Sequence, residues 1–135
     1  MEISFKGRKM NFGTARQPFA DALGASVTDS LVYYSPGTNT VACDTRASDA
    51  YVKYASIHEC ICCGPYKDMA PTVENANQRC YFIDKMIIDE IKDEDEKKMY
   101  IQKRIEMFET LIKKHLNPPL EDSFKESLRL LKEMK

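Results

Sequence analysis

Three side chains within five consecutive residues have types and a spacing suited to metal binding. His58, Glu59 and Cys62 lie near the end of the stretch 49–64, which has the composition of a helix and ends in Gly-Pro. On a helix, His58 and Cys62 are one turn apart on the same face, and Glu59 is offset by one position. Zinc accepts imidazole nitrogen and thiolate sulfur, and ligands one turn apart can hold a tetrahedral ion without bending the backbone. The spacing therefore predicts zinc binding.

The same face of the helix also has a purely structural interpretation. His58 shares it with Tyr51, Tyr54, Ala55 and Ile61, which are typical core residues. A histidine on such a face is often a hydrogen-bonded core residue, and a buried cysteine often packs as a small hydrophobe. The pattern therefore predicts that this face points into a core, whether or not a metal binds.

Cys60 and Cys63 form a C-x-x-C pair in the same stretch. In redox proteins such a pair lies at a helix N-terminus, where the dipole lowers the thiol pKa. Here it lies at the predicted C-terminal end, which disfavours a thioredoxin-like role. A structural zinc site of Cys60, Cys63, Cys80 and His58 lacks the second close pair of ligands that zinc ribbons have. A hydrolase in which His58 activates a cysteine nucleophile stays open.

The motif His58-Glu59-x-x-Cys62 follows a predicted strand at 40–44 and precedes Glu74-Asn75-Ala76-Asn77, which begins the next predicted helix. In this arrangement the sequence resembles small zincin metallopeptidases of the ImmA/IrrE type. Members of that family carry H-E-x-x-H on the active helix and a later glutamate on the following helix. The resemblance covers somewhat more than a third of the chain.

The resemblance implies specific roles for residues at the matching positions. Zinc would be held by His58, by Cys62 in place of the second histidine, and by Glu74; Cys80 is the other residue considered as third ligand. Glu59 would be the general base that takes a proton from a zinc-bound water. The expected function is therefore that of a zinc-binding, metallopeptidase-like protein that hydrolyses peptide bonds in a peptide or protein substrate.

The sequence departs from the family pattern at the ligand positions. Cys62 puts a thiolate on the ion, and its electron donation weakens zinc as a Lewis acid. Ile61 stands where the family usually has glycine, and Glu74 has the context E-x-A-N instead of E-x-x-A-N. Glu74 also suits the first turn of a helix, where negative charge is favourable. The alternative function is a catalytically inactive zincin-like binding or interaction module, with structural metal or none.

Composition limits the other function classes. The chain has 135 residues and a formal net charge of -1, with basic and acidic residues interspersed, so we expect no direct binding of nucleic acid. No run of about 18 apolar residues predicts a membrane span, and no apolar region follows the basic N-terminus, so we expect a cytoplasmic protein. Three of the five cysteines lie within residues 60–63, which favours reduced thiols over a disulfide scaffold.

The first third of the chain has the character of strands. Alternation predicts a strand at 2–6, and residues 27–35 and 40–45 predict a hairpin around Ser-Pro-Gly-Thr-Asn. Residues 17–23 predict a short helix between them. Either Ser48 or Asp49 is suited to cap the central helix that follows.

The remainder of the chain is predicted to be helical. Apolar residues recur every three or four positions from Val73, with Thr72 as the expected N-cap. Asp93, with Glu96 three residues later, predicts a new helix start within a charged junction. Asn117-Pro118-Pro119 is expected to end that helix and precede the last one.

These elements together predict a single α+β domain over 1–135. Strands would fill 1–46 and form a small antiparallel or mixed sheet, the central helix would span 47–64, and three helices would form a bundle over 72–134. The arrangement would be zincin-like. The apolar faces of the C-terminal helices also suit self-association. A second copy of the chain, bound through these helices in a homo-oligomer, is therefore one expected partner.

Overall fold

A computed structural model describes residues 1–18, 32–113 and 117–135 of the chain. The chain divides into two compact units, Met1–Ala70 and Pro71–Lys135, and each is described by itself. The expectation of a single domain stays a prediction. Within the described ranges, none of the helices has both the length and the apolar character that a membrane span requires.

The first unit contains two small sheets. Strands β1 (Glu2–Phe5) and β2 (Arg8–Asn11) form an antiparallel pair. Strands β3 (Gly13–Gln17), β4 (Val32–Ser35) and β5 (Thr40–Asp44) form a mixed sheet in the order β3-β5-β4. β5 pairs in parallel with β3 and antiparallel with β4. The predicted α+β class and small sheets are therefore confirmed.

The β1–β2 hairpin turns on two residues with positive φ. Lys6 has φ 51° and Gly7 has φ 77°, the left-handed geometry of a tight hairpin turn that matches strand twist. Ile3 and Phe5 are buried on alternate positions of β1, as the alternation predicted. β2 was not predicted, because Met10 is its only buried residue and no alternation is visible in the sequence.

The predicted hairpin of the second sheet is confirmed for its described part. Ser35 pairs with Thr40, and Asn39 takes a positive φ of 47° in the intervening turn. The predicted helix at 17–23 and the residues 27–31 of the predicted strand fall largely or wholly on residues 19–31, which lie outside the described ranges. β3 was missed in the sequence, because all five of its residues are exposed.

β5 leads directly into the central helix through a buried aspartate. The Asp44 carboxylate is fully buried and accepts hydrogen bonds from the Arg46 backbone N–H (2.7 Å) and guanidinium (2.8 and 3.0 Å). Helix α1 then spans Asp49–Cys62, and the Ser48 hydroxyl accepts from the Tyr51 N–H at 3.2 Å. Ser48 is therefore the N-cap, one of the two residues expected in that role.

The second unit contains three helices in its described ranges: α2 (Arg79–Glu90), α3 (Glu94–Ile112) and α4 (Pro118–Glu133). The predicted start of α2 is wrong. Thr72 does not cap it, because the Asn75 side chain accepts from the Asn77 N–H at 3.0 Å and begins a 3₁₀ turn, Ala76–Gln78, ahead of the helix. Val73, predicted as helical, lies before that turn.

The predicted start of α3 is confirmed, because the Asp93 carboxylate accepts from the Glu96 N–H at 2.9 Å. Asn117-Pro118-Pro119, predicted only as a stop before the last helix, begins α4 itself, and the Asn117 side chain accepts from the Leu120 N–H at 3.1 Å. α3 packs against α4, with the rings of Phe108 and Phe124 edge to face at 5.6 Å. The predicted three-helix C-terminal region is therefore confirmed, although residues 114–116 lie outside the described ranges.

Candidate functional site

Helix α1 places the predicted metal-binding residues on a helix that packs against the mixed sheet. α1 contacts both β4 and β5. Its inward face is buried at Tyr51, Tyr54, Ala55 and Ile61, and His58 on the same face is only 3% exposed. The prediction that this face points into a core is confirmed. The imidazole is therefore held in a fixed position.

The N-terminal end of α1 is fastened to β3 by one arginine. The Arg16 guanidinium donates to the Ala47 carbonyl at 2.9 Å and forms an ion pair with Asp49 at 2.7 Å. A negative charge in the first helical turn is also favourable to the helix dipole. β3 therefore helps to position the helix that carries His58, although its sequence gave no strand signal.

The helix offers zinc two suitable donors one turn apart. His58 and Cys62 occupy consecutive turns of α1. The Cys62 side chain is half-buried and its thiol is free, not in a disulfide. An imidazole nitrogen and a thiolate sulfur are among the groups that zinc prefers. The donor set on α1 therefore fits zinc, although it supplies two ligands where a structural site needs four.

Glu59 is already engaged with a neighbouring thiol. The Cys63 Sγ lies 3.4 Å from the Glu59 carboxylate Oε2 and 3.3 Å from the Glu59 carbonyl, with the thiol as donor. The carboxylate is half-buried beside the end of the helix. A general base must be free to accept a proton from its substrate. The thiol therefore competes with water for the carboxylate oxygen.

The thiols of the C-x-x-C pair are poorly suited to nucleophilic or redox chemistry. Burial, reinforced by the negative charge of Glu59, raises the pKa of Cys60 to about 12. Burial and the same carboxylate raise the pKa of Cys63 to about 12. Because the thiolate is the reactive form, both groups are protonated and weakly reactive near neutral pH. The C-x-x-C pair is therefore a poor candidate for nucleophilic or redox chemistry near neutral pH.

The segment after α1 is held by tyrosine contacts to the strands of the same unit. Asn11 donates its N–H to the Tyr66 hydroxyl at 2.7 Å, and the Arg8 guanidinium lies 4.9 Å from the Tyr66 ring centroid. The Tyr34 hydroxyl donates to the Asn39 side chain at 2.6 Å. The Tyr66 contacts hold the segment that follows α1 against β2.

The two residues considered for a third ligand lie in the second unit. Glu74 is exposed in the loop before the 3₁₀ turn. Its suggested role as a charge in the first turn of a helix is wrong, because α2 begins at Arg79. Cys80 is half-buried at the start of α2, and its sulfur accepts from the Arg104 Nη2 at 3.3 Å. Ligation by Glu74 or Cys80 stays a prediction.

A buried polar network in the second unit was missed by sequence reasoning. Asp84 on α2 is fully buried and accepts from the Tyr100 hydroxyl and from the Arg104 Nε, both at 2.8 Å. Tyr100 is fully buried and Arg104 is 2% exposed. One carboxylate thus accepts two hydrogen bonds from α3, and the guanidinium also reaches the Cys80 sulfur.

The sequence places the two charged residues of this network next to apolar stripes, although it does not show that they pair. Asp84 lies four residues after Cys80 and directly after Ile83 of the apolar stripe of α2, and Arg104 stands between Ile101 and Ile105. Charges of opposite sign on the apolar faces of consecutive helices are rarely buried unless they pair. The two charges therefore connect α2 to α3 as a structural pair.

Comparisons with protein-family models, with curated proteins and with solved structures found no match to this chain. The resemblance to zincins therefore rests on the motif residues.

Proposed function

We propose that this chain binds zinc through His58 and Cys62 on helix α1. One observation carries the proposal: an imidazole and a thiol occupy consecutive turns of an intact helix that packs against the mixed sheet. The imidazole is buried and thereby held in place, and the Cys62 side chain is half-exposed. Fixed donors reduce the entropy lost when a metal binds.

The proposed function includes metallopeptidase-like hydrolysis as its catalytic form. Zinc, when bound, would supply Lewis acidity toward water and a peptide carbonyl. Glu59, the next residue after His58, would accept the proton of the attacking water. The resemblance supplies Glu74 as a third ligand, but zinc binding at α1 does not depend on that assignment.

A second form of the function is supported by the contact between Cys63 and Glu59. The thiol donates to the carboxylate that would have to act as base, at 3.4 Å. A thiolate ligand from Cys62 would further weaken the Lewis acidity of the ion. These two features favour a zinc-binding module that does not hydrolyse peptides, and in that form the metal stabilises the unit.

Zinc content tests the proposal. Protein purified without chelator is expected to contain about one zinc ion per chain by elemental analysis. Cys62→Ser is a nearly isosteric change at a half-buried site. It is expected to weaken zinc affinity at least about tenfold, because the thiolate ligand is lost and only the His58 imidazole remains on α1. Cys63→Ser is the matched control and should retain the metal. Metal-free wild-type protein that also fails to take up added zinc would overturn the proposal, as would equal affinity in Cys62→Ser.

One further variant distinguishes the hydrolytic form from the zinc-binding module. If the protein hydrolyses peptides, Glu59→Gln should retain zinc and lose about 10²–10⁴-fold in the hydrolysis rate, the usual contribution of a general base. If the wild-type protein retains zinc and cleaves none of a mixed peptide library, the binding module is the correct form.

A further inference from the structure

The second unit contains a cavity that is lined by neither His58 nor Cys62. It has a volume of about 380 Å³ and lies between the loop 71–78 and Phe82 of α2. Binding sites for small ligands and peptide side chains typically have volumes of about 300–1,000 Å³. The half-buried side chains of Val73 and Phe82 provide apolar surface, and Thr72, Glu74 and Gln78 provide polar groups.

The loop that lines this cavity is held in one conformation by hydrogen bonds to Asn75. The Asn75 amide donates to the Ser123 hydroxyl at 3.0 Å, and that hydroxyl donates to the Pro119 carbonyl at 3.1 Å. The Asn75 carbonyl accepts from the Gln78 N–H at 2.9 Å. The loop is thereby fixed to α4 of the same unit. A pre-formed wall reduces the ordering cost that a ligand would meet.

The charge of the cavity is set by Glu74. Its carboxylate is exposed, and within the described residues no side chain forms a hydrogen bond or ion pair with it. The lining residues include neither lysine nor arginine. The cavity therefore favours a cation. It also disfavours a free amino acid, because the carboxylate of such a ligand would meet no positive charge.

We propose that this cavity binds the arginine side chain of a peptide. A guanidinium carries five donors in a planar fork, and the lining supplies acceptors for them in the Glu74 carboxylate and the side-chain oxygens of Thr72 and Gln78. Its flat face and its alkyl stem suit the partly exposed ring of Phe82. An ammonium has a compact charge and a smaller flat surface, so it uses less of this lining. The proposal assigns Glu74 to a peptide and is independent of zinc at His58 and Cys62.

A titration of the full chain tests this assignment. Nuclear magnetic resonance spectra of ¹⁵N-labelled protein are recorded with N-acetyl-arginine N-methylamide, with the corresponding lysine derivative, with the neutral citrulline analogue and with free arginine. We expect saturable shifts of amides in residues 71–82 with the arginine derivative. Binding of the citrulline analogue and of free arginine should each be at least about tenfold weaker, the effect of losing a charge-assisted hydrogen bond or adding an unpaired carboxylate.

Two variants complete the test. Glu74→Gln should weaken binding of the arginine derivative at least about tenfold, whereas Glu90→Gln, a matched change at an exposed carboxylate on the last residue of α2, should leave it unchanged. The proposal is overturned if no saturable shift occurs in 71–82 up to about 10 mM ligand, a concentration far above millimolar affinity. Equal binding of the citrulline or a lysine derivative, or unchanged binding by Glu74→Gln, would also overturn it. Unchanged zinc content in Glu74→Gln would separate this role from metal ligation.

Discussion

Replacing Asp84 with alanine is expected to lower the free energy of unfolding by about 3–5 kcal/mol, the usual effect of breaking a buried ion pair. The change removes the carboxylate that accepts hydrogen bonds from Tyr100 and Arg104 at 2.8 Å. Arg104, which is 2% exposed, keeps its charge in a poorly solvated site. The cost arises mainly from this buried charge, because the carboxylate itself occupies little volume.

Urea denaturation followed by circular dichroism measures this effect. Asp89→Ala is the control on the same helix, because its ion pair with Lys85 is solvent-exposed and is expected to contribute less than about 1 kcal/mol. If Asp84→Ala fails to fold, Asp84→Asn and Tyr100→Phe provide milder changes, with an expected loss of about 1–3 kcal/mol each. A loss no larger than that of Asp89→Ala would show that the network contributes nothing to stability.

Gly64→Ala is expected to destabilise the protein by about 1–3 kcal/mol, the usual cost of forcing atoms into a closely packed site. A Cβ at this position would lie 2.7 Å from both the Cα and the carbonyl oxygen of Cys60. These are backbone atoms of α1, and the same carbonyl accepts from the Tyr66 N–H at 3.2 Å. The end of the helix must therefore shift to admit a methyl group.

Gly37→Ala is the matched control for this change. A Cβ at Gly37 would meet no atom within 4 Å, and its φ lies outside the left-handed region. The expected effect is therefore neutral, or a stabilisation of up to about 1 kcal/mol through the unfolded chain. Thermal unfolding of both variants gives the comparison. Equal midpoints for the two would contradict the close approach of Gly64 to α1.

The sequence predicted those elements that begin with a capping side chain or that have one apolar face. Ser48 and Asp93 were identified as residues that cap helices. A side-chain oxygen just before a run of apolar residues with helical spacing can accept a hydrogen bond from a free backbone N–H of the first turn. β3 was missed because its five exposed residues leave no alternation. The start of α2 was placed too early, because Asn75 competes with Thr72 by bonding its own loop.

The sequence could predict the spacing of the proposed zinc ligands but not the contacts that their neighbours make. Spacing alone predicted that His58 and Cys62 lie one turn apart, because helix geometry fixes that relation. The contact between Cys63 and Glu59 depends on the rotamers at the end of the helix, which spacing does not determine. The pairing of Asp84 with Arg104 depends on how α2 packs against α3, a long-range relation that periodicity does not encode.

The mixed sheet imposes an order on folding. Only residues 36–39 separate β4 from β5, whereas the 22 residues 18–39 separate the end of β3 from the start of β5. Closing the longer loop costs about 1.5 kcal/mol more in chain entropy. We therefore expect β3 to join the sheet last, with protection of the Ala15 amide, which faces β5, following that of β4 and β5 in pulse-labelled hydrogen exchange. Because Arg16 fastens the N-terminal end of α1, the helix that carries His58 gains its final support only at this late step.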